Sequence, residues 1–424
     1  MKVTDRAYAL ELDKNDPLAH YRSKFVITDP NLCYLDGNSL GRLPHATVKA
    51  VSDFVSHEWG NEVVTGWSHW IDEAQVAGDL LGKAALGSGP GQVLVCDTTS
   101  VNFYQLCLAA IKARPGRKTI ITDAANFPTD RYILDGIAKL LDLKLVIIDN
   151  EDSSIAENEL VTPELLEKYM SEDVALVTLE VIQYRSGARS DIKSITDLVR
   201  SYGALVVWDA SHAVGAIEMN FDANGVDLAV GCTYKYGNSG PGAPAWLYVA
   251  TKMQKELQVP IQGWFSQGDQ FGMGPVFEKA DGIRGFQIAS PSLIGLRCIK
   301  TSFEIIKEAG IDKIAHKAAV GTQMMIDLYD AWLAPLGMQL NTSRDAKERG
   351  GHISLVHPDA ARICVALREF ANVIPDYRTP NSIRLAISPL PTSFVEVWDG
   401  FERIRDLVST RQYEKVKEGG SRVT

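Results

Sequence analysis

Seven short apolar, β-branched runs recur between Gln92 and Ala250: QVLVCD, KTIITD, KLVIIDN, VALVTLEVI, ALVVWDAS, LAVGCTYK and PAWLYVA. Amphipathic stretches separate several of them, namely VNFYQLCLAAIKA, TPELLEKYM with Pro163 at a helix start, and DIKSITDLVRSYG ending on Gly203. Strands this uniformly apolar must be covered on both faces, and the intervening helices supply the cover. The pattern therefore predicts one large α/β domain built on a mostly parallel sheet.

The flanks read differently. Ahead of the sheet, ATVKAVSDFVSHEW puts Val48, Val51, Val55 and Trp59 on one helical face, the pattern of a helix packing onto the large domain. Beyond about Cys298 come a long helix (IKTSFEIIKEAG), strand-like GHISLVH, helical PDAARICVALREF, strand-like NSIRLAIS and a closing helix, SFVEVWDGFERIRDLV. That is a smaller α+β domain. The expected division is an N-terminal segment over 1–45, the large domain over 46–298 and the small domain over 299–424, with KEGGSRVT as a frayed tail.

Composition removes several classes of function. With 424 residues, 46% hydrophobic and 23% charged, the chain has material for a core and a second domain. Its 43 basic and 53 acidic residues leave a formal charge of -10, which speaks against nucleic acid or an anionic membrane as the main partner. Six cysteines (Cys33, Cys96, Cys107, Cys232, Cys298, Cys364) lack the pairing of a zinc site and the density of a disulfide scaffold, so no metal is expected and the thiols read as reduced. The opening MKVTDRAYALELDKNDPLAH resembles neither a secretory signal nor an Arg-rich transit peptide. No run approaches the ~20 apolar residues of a membrane span. A cytoplasmic location is the expectation.

In open α/β sheets ligands bind at the carboxyl ends of the strands, so the residues just after each run are the ones to weigh. DTTSVN follows the first run, and its hydroxyls and N–H groups open a helix that could hold a phosphate or simply be capped. NFPTD follows the second, with an aromatic face at Phe127 and a carboxylate at Asp130; alone it reads as a turn and cap. Asp209 ends the fifth run, three residues before His212, and alone reads as a cap. Lys235 follows the sixth, in CTYKYGNSGPG, as either a surface charge in a turn or a nucleophile. Their convergence decides between these readings. Pyridoxal phosphate needs a lysine for a Schiff base, a carboxylate for its pyridine nitrogen, an aromatic ring to stack and donors for its phosphate.

These motifs resemble fold type I pyridoxal phosphate enzymes, and more narrowly the kynureninase family. The likeness runs through YLDGNSLGRLP, DTTSVN, NFPTD, YRSG, WDASHAVGA, YKYGNSGPGAPA, GWF, RGGHISL and IRLAISPL. It implies a large domain with a mostly parallel seven-stranded sheet, a small C-terminal α+β domain and a homodimer, with residues 1–45 packing on the small domain and the dimer partner. It implies that Lys235 forms the Schiff base and moves the substrate proton, that Asp209 pairs with the pyridinium nitrogen, and that Phe127 stacks on the ring. Thr99, Ser100, Tyr234 and Trp264 would hold the phosphate end, Tyr234 also counting with the catalytic set, while Asp130 and His212 line the cofactor pocket. Arg384 would grip the substrate α-carboxylate, and Gln267, Ser290 and Asn38 would meet the substrate; without the family, Arg384 reads equally as an edge-strand charge. The implied reaction is hydrolysis of the Cβ–Cγ bond of a β-keto amino acid, L-kynurenine or 3-hydroxykynurenine by default, to anthranilate or 3-hydroxyanthranilate and L-alanine.

The chain departs from the family on the substrate side. Ser266 and Gln267 follow GWF where Gly-His is usual, Ser290 lies in ASPS where a larger polar residue is frequent, Glu180 aligns with a Ser or Thr, and Tyr236-Gly237-Asn238 replaces Tyr-Leu-Asn. A polar site is sensitive to such changes, so altered specificity and ordinary drift both remain open. Two further readings stand beside hydrolysis. One is a lyase or cysteine desulfurase acting on another β-substituted amino acid, which would need a cysteine on a loop, whereas Cys298 and Cys364 fall in helix-like segments. The other is a non-enzymatic cofactor-binding regulator, which the presence of Lys235, Asp209 and Arg384 does not favour.

Overall fold

The computed structural model describes residues 1–150 and 159–417; the KEGGSRVT tail beyond Lys417 lies outside the described residues. All seven apolar runs form strands: β1 Val93–Val95, β2 Thr119–Asp123, β3 Lys144–Ile148, β4 Val174–Glu180, β5 Leu205–Asp209, β6 Leu228–Gly231 and β7 Trp246–Val249. They make one sheet in the order β1-β7-β6-β5-β4-β2-β3. Pairing is parallel from β6 through β5, β4 and β2 to β3, and only β7 runs against its neighbours. Every residue of β4 and β5 is buried, as strands covered on both faces must be.

Local sequence starts the covering helices. Thr98 caps Thr99–Lys112 through Val101 N–H, Pro128 opens Pro128–Leu141, and Asp191 caps Ile192–Ser201 by accepting from Ser194 N–H at 3.0 Å. TPELLEKYM gives only the short helix Pro163–Glu167, capped by Thr162.

A second sheet, in the order Asp376–Arg378, Ser382–Ala386, His352–Val356, Gln339–Leu340, is antiparallel throughout. Cys33–Tyr34 adds to Val373–Ile374 and ties the N-terminal segment to this part of the chain. Ala9, Cys33 and Leu35 lie in the same apolar cluster as Ile353, Leu385 and Phe401. Leu18, Tyr21 and Phe25 instead join the cluster under the large sheet, so the N-terminal segment packs on both cores. Packing changes hands along the helix Ile311–Leu328: Ile314 belongs to the first cluster and Met324 to the second.

One expected packing face turns outward. In the helix His45–Asp53 and its continuation Phe54–Trp59, the buried side chains are Thr47 and Phe54, whereas Val48, Val55 and Trp59 are exposed. Thr47 Oγ1 lies 2.8 Å from Thr301 Oγ1, and the Arg297 guanidinium sits over the Phe54 ring, so the inward face is polar and aromatic. Periodicity found the apolar stripe and assigned it to the wrong side.

Candidate active site

The carboxyl ends of β1, β2, β4, β5 and β6 open onto a cavity of about 200 Å³. Its walls include Thr99, Ser100, Phe127, Asp130, Asp209, His212, Tyr234, Lys235 and Arg384. Each is placed by local chemistry. Thr99 and Ser100 begin a helix whose Val101 N–H is already taken by the Thr98 cap, leaving a helix N-terminus suited to an anion. Phe127 is the residue before Pro128, which fixes the helix start and presents the ring edge-on to Tyr184 at 5.3 Å. Asp209 is the last residue of β5, and its Oδ1 accepts from Ser211 N–H at 2.6 Å.

Lys235 rides on a tight turn in which Asn238 N–H donates to Lys235 O and Ser239 N–H to Thr233 O. Gly237 is required there: a Cβ would stand 2.3 Å from the Thr233 carbonyl oxygen. Gly41 is required opposite, donating its N–H to Tyr234 O while a Cβ would lie 2.3 Å from Lys235 O. The lysine Nζ reaches to 2.8 Å from His212 Nε2. Burial and the Lys235 charge hold His212 well below the usual histidine range, so its neutral ring accepts from the ammonium.

Carboxyl groups crowd one end of the cavity. Burial, reinforced by Asp209, pushes Asp130 well above the carboxylate range, and burial with Asp209, Asp123 and Asp130 does the same to Glu180. Asp123, fully buried beneath them, rises to about 6 through burial although Asn150 and Gln183 donate to its Oδ2 at 2.9 and 3.0 Å. Arg384 enters from the small domain on an interior strand, not an edge, and is buried with its guanidinium paired to Asp376 and donating to Ser39 Oγ at 3.1 Å and to Tyr184 O. Burial lowers it to about 10.

Four expected residues stand apart from the cavity. Trp264 is half exposed and donates its indole N–H to Gln270 O at 2.8 Å; Gln267 is held in its own loop, accepting from Glu278 N–H at 2.6 Å; Ser290 is exposed. Asn38 is buried with its amide unpartnered among the described residues, one position before Ser39 on the cavity wall. Sequence reading missed Ser39, Thr129, Tyr184, Ser211 and Arg378, which also line the cavity. Ser39 and Tyr184 lie in YLDGNSLGRLP and YRSG, two of the motifs carrying the resemblance, whereas Arg378, in DYRTP, carried no signal.

The residues present fit pyridoxal phosphate. His212 Nδ1 is buried without a hydrogen-bond partner among the described residues, as a group completed by a polar ligand would be. With Lys235 opposite an anion-binding helix end, fold and site define a pyridoxal phosphate-dependent enzyme of fold type I.

Comparison with known proteins supports that class and narrows it. The fold matches C-DES carrying glycine covalently linked to its PLP cofactor (TM-score 0.76, 15% identity, 90% of this chain and 96% of that one) and the apo cysteine desulfurase of Thermococcus onnurineus NA1 (TM-score 0.75, 15% identity, 94% and 98%). A profile of the kynureninase C-terminal domain matches residues 314–404. The kynureninase of Pseudomonas fluorescens is 32% identical over 423 residues, covering 98% of both chains, and that of Burkholderia pseudomallei (strain 1106a) is 32% identical over 416 residues, covering 96% of both. This chain belongs to the kynureninase family, pyridoxal phosphate-dependent hydrolases of a carbon–carbon bond.

Proposed function

We propose that the chain hydrolyses the Cβ–Cγ bond of L-kynurenine or 3-hydroxykynurenine, releasing anthranilate or 3-hydroxyanthranilate and L-alanine. The observation that carries this reading is one cavity holding Lys235 against His212, Asp209 at the adjoining strand end, and the buried Arg384. When bound, pyridoxal phosphate supplies an electron sink for the carbanion formed at the substrate α-carbon. Lys235 anchors it and carries the α-proton, with neutral His212 accepting from the lysine Nζ. Of the residues lining the cavity, Asp209 would pair with the ring nitrogen, Phe127 would stack on the ring, and Thr99, Ser100 and Tyr234 would hold the phosphate. Arg384, held in place by Asp376, Ser39 and Tyr184 O, would supply positive charge for the substrate carboxylate.

The desulfurase reading loses ground. Cys298 and Cys364 sit inside the helices Leu293–Ala309 and Ala360–Phe370, and burial pushes both thiols up, Cys364 to about 12, away from the thiolate that chemistry needs.

The same reading includes a homodimer in a reducing compartment, the cytoplasm. Six free cysteines suit such a compartment. Among the described residues no helix is long and apolar enough to cross a membrane. The outward stripe of Val48, Val55 and Trp59 suits a second copy, and Trp264, Gln267 and Ser290, which do not line their own cavity, would serve the partner's.

The test is incubation of cofactor-loaded protein with each of the two substrates, alanine and the aromatic acid being followed by mass spectrometry. Equimolar products, abolished by Lys235→Ala, are expected. A spectral response to amino acids without cleavage of either substrate would overturn the assignment and direct attention to Gln267 and Ser290.

A further inference from the structure

Glu180 lines the cavity, and the proposed reaction gives it no role. It ends β4 directly beside Asp209, its register partner at the end of β5, and it is 2% exposed. Its Oε2 accepts a hydrogen bond from Tyr184 N–H at 3.1 Å, and no ion pair to it is found among the described residues. The titratable groups facing it are Asp209 on β5, Asp123 on β2, Asp130 on the helix that follows β2, Tyr184 after β4, and Arg384 and Arg378 from the small domain, Arg378 being paired with Asp376 at 3.3 Å. Arg384 is already engaged by Asp376, and Lys235 is turned to His212. A buried carboxylate among three other carboxyls, with its nearest cations occupied, is costly, whereas the protonated acid carries no charge and gains a donor. The resemblance to kynureninases puts Ser or Thr here, which likewise offers a neutral hydroxyl.

We propose that Glu180 is a cofactor-facing hydrogen-bond donor: a carboxylic acid on the cavity wall beside Asp209 that offers its proton to an anionic oxygen of the bound pyridoxal phosphate. The claim rests on the cofactor reading of the cavity and extends it to a residue that sets how firmly the cofactor is held. Tyr184 N–H fixes Oε2 as the acceptor, which leaves the other oxygen to carry the proton towards the cavity. Asp209 and Glu180 then divide the work across adjacent strands, one carrying negative charge for the ring nitrogen and the other meeting negative charge on an oxygen.

Three proteins decide it: wild type, Glu180→Gln, which keeps a neutral donor of the same reach, and Glu180→Ala, which removes it. Cofactor affinity is measured by equilibrium titration of apoprotein, and the visible absorbance of each loaded protein is followed against pH. A hydrogen bond to a charged oxygen contributes enough for its loss to weaken binding by about tenfold or more. Glu180→Gln is therefore expected within about threefold of wild type with an unchanged absorbance midpoint, and Glu180→Ala about tenfold weaker. Equal affinity in Glu180→Ala and wild type would overturn the proposal, as would tighter cofactor binding with a moved midpoint in Glu180→Gln, the mark of a buried negative charge removed. Should Glu180→Ala fail to fold, the infrared difference between wild type and Glu180→Gln at neutral pH decides alone: a protonated carboxyl carbonyl band supports the proposal and a carboxylate band ends it. Failure of wild type to take up pyridoxal phosphate through Lys235 would overturn the cofactor reading as well, and so is distinguishable from failure of Glu180 alone.

Discussion

Asp123 shows how strongly the cavity floor is biased against charge. It lies fully buried below Asp130 and Glu180, and its pKa rises from 3.8 to about 6. A carboxyl raised on folding lends stability that is complete below the unfolded pKa and is lost as pH climbs through the folded one. The two values differ by about 2 units, so ionising Asp123 costs on the order of 3 kcal/mol at most above pH 6. Asp123→Asn, which keeps an acceptor for Asn150 and Gln183, should therefore melt above wild type at pH 7.5 and converge with it near pH 4. Thermal unfolding at the two pH values checks this, and an unchanged gap would mean the pair of amide donors already offsets the charge. At this scale Lys235, Asp209, Asp130 and Phe127 were legible because each is a chemically distinctive residue just after an apolar run. Tyr184, Ser39 and Arg378 were not, since they reach the cavity from loops and from the small domain, and no spacing along the chain encodes that meeting.

Two elements shape the proposed cofactor cavity. The turn bearing Lys235 tolerates no side chain at Gly237, where a Cβ would stand 2.3 Å from the Thr233 carbonyl. Gly237→Ala should therefore shift the lysine and lower cofactor uptake at least tenfold, with far-UV circular dichroism retained; absorbance titration of the apoprotein reads the loss. The helix Thr99–Lys112 is the second, its first turn left open towards the cavity because Thr98 caps only Val101. Removing one charged hydrogen bond costs about 1.5–3 kcal/mol, so Ser100→Ala should weaken pyridoxal phosphate about tenfold and leave pyridoxal, which lacks the phosphate, unaffected. Equal losses for both compounds would show that Ser100 acts elsewhere. Elements of this kind were readable in advance: the seven strands of the large sheet were anticipated because strands covered on both faces leave plain apolar runs, and the helix starts because their caps are local. The helix His45–Asp53 was misassigned for a physical reason. Periodicity reports that a stripe is apolar, not whether its own chain or another covers it.

That uncovered stripe is the main unresolved feature of the molecule as a whole. Val48 is 53% exposed, Trp59 54%, Val63 61% and Val64 73%, and beside them Leu43, Val51, Pro241, Ala243 and Ile294 line a groove of about 550 Å³. Apolar surface so contiguous is rarely left to water in a soluble chain, and the turn after Lys235 runs into the same groove through Ser239 and Gly240. Association through this face would support the turn that follows Lys235, since Ser239 and Gly240 line the groove. Val48→Glu combined with Ile294→Lys places charge on both walls of the groove. Light scattering is expected to give wild type at twice the 46.5 kDa chain mass and the double variant at the chain mass. The monomer should keep its circular dichroism, since neither side chain is buried in its own core, yet hold pyridoxal phosphate at least tenfold more weakly. A wild type that is monomeric at micromolar concentration and still cleaves kynurenine would refute the dimer and return Trp264, Gln267 and Ser290 to the role of surface residues.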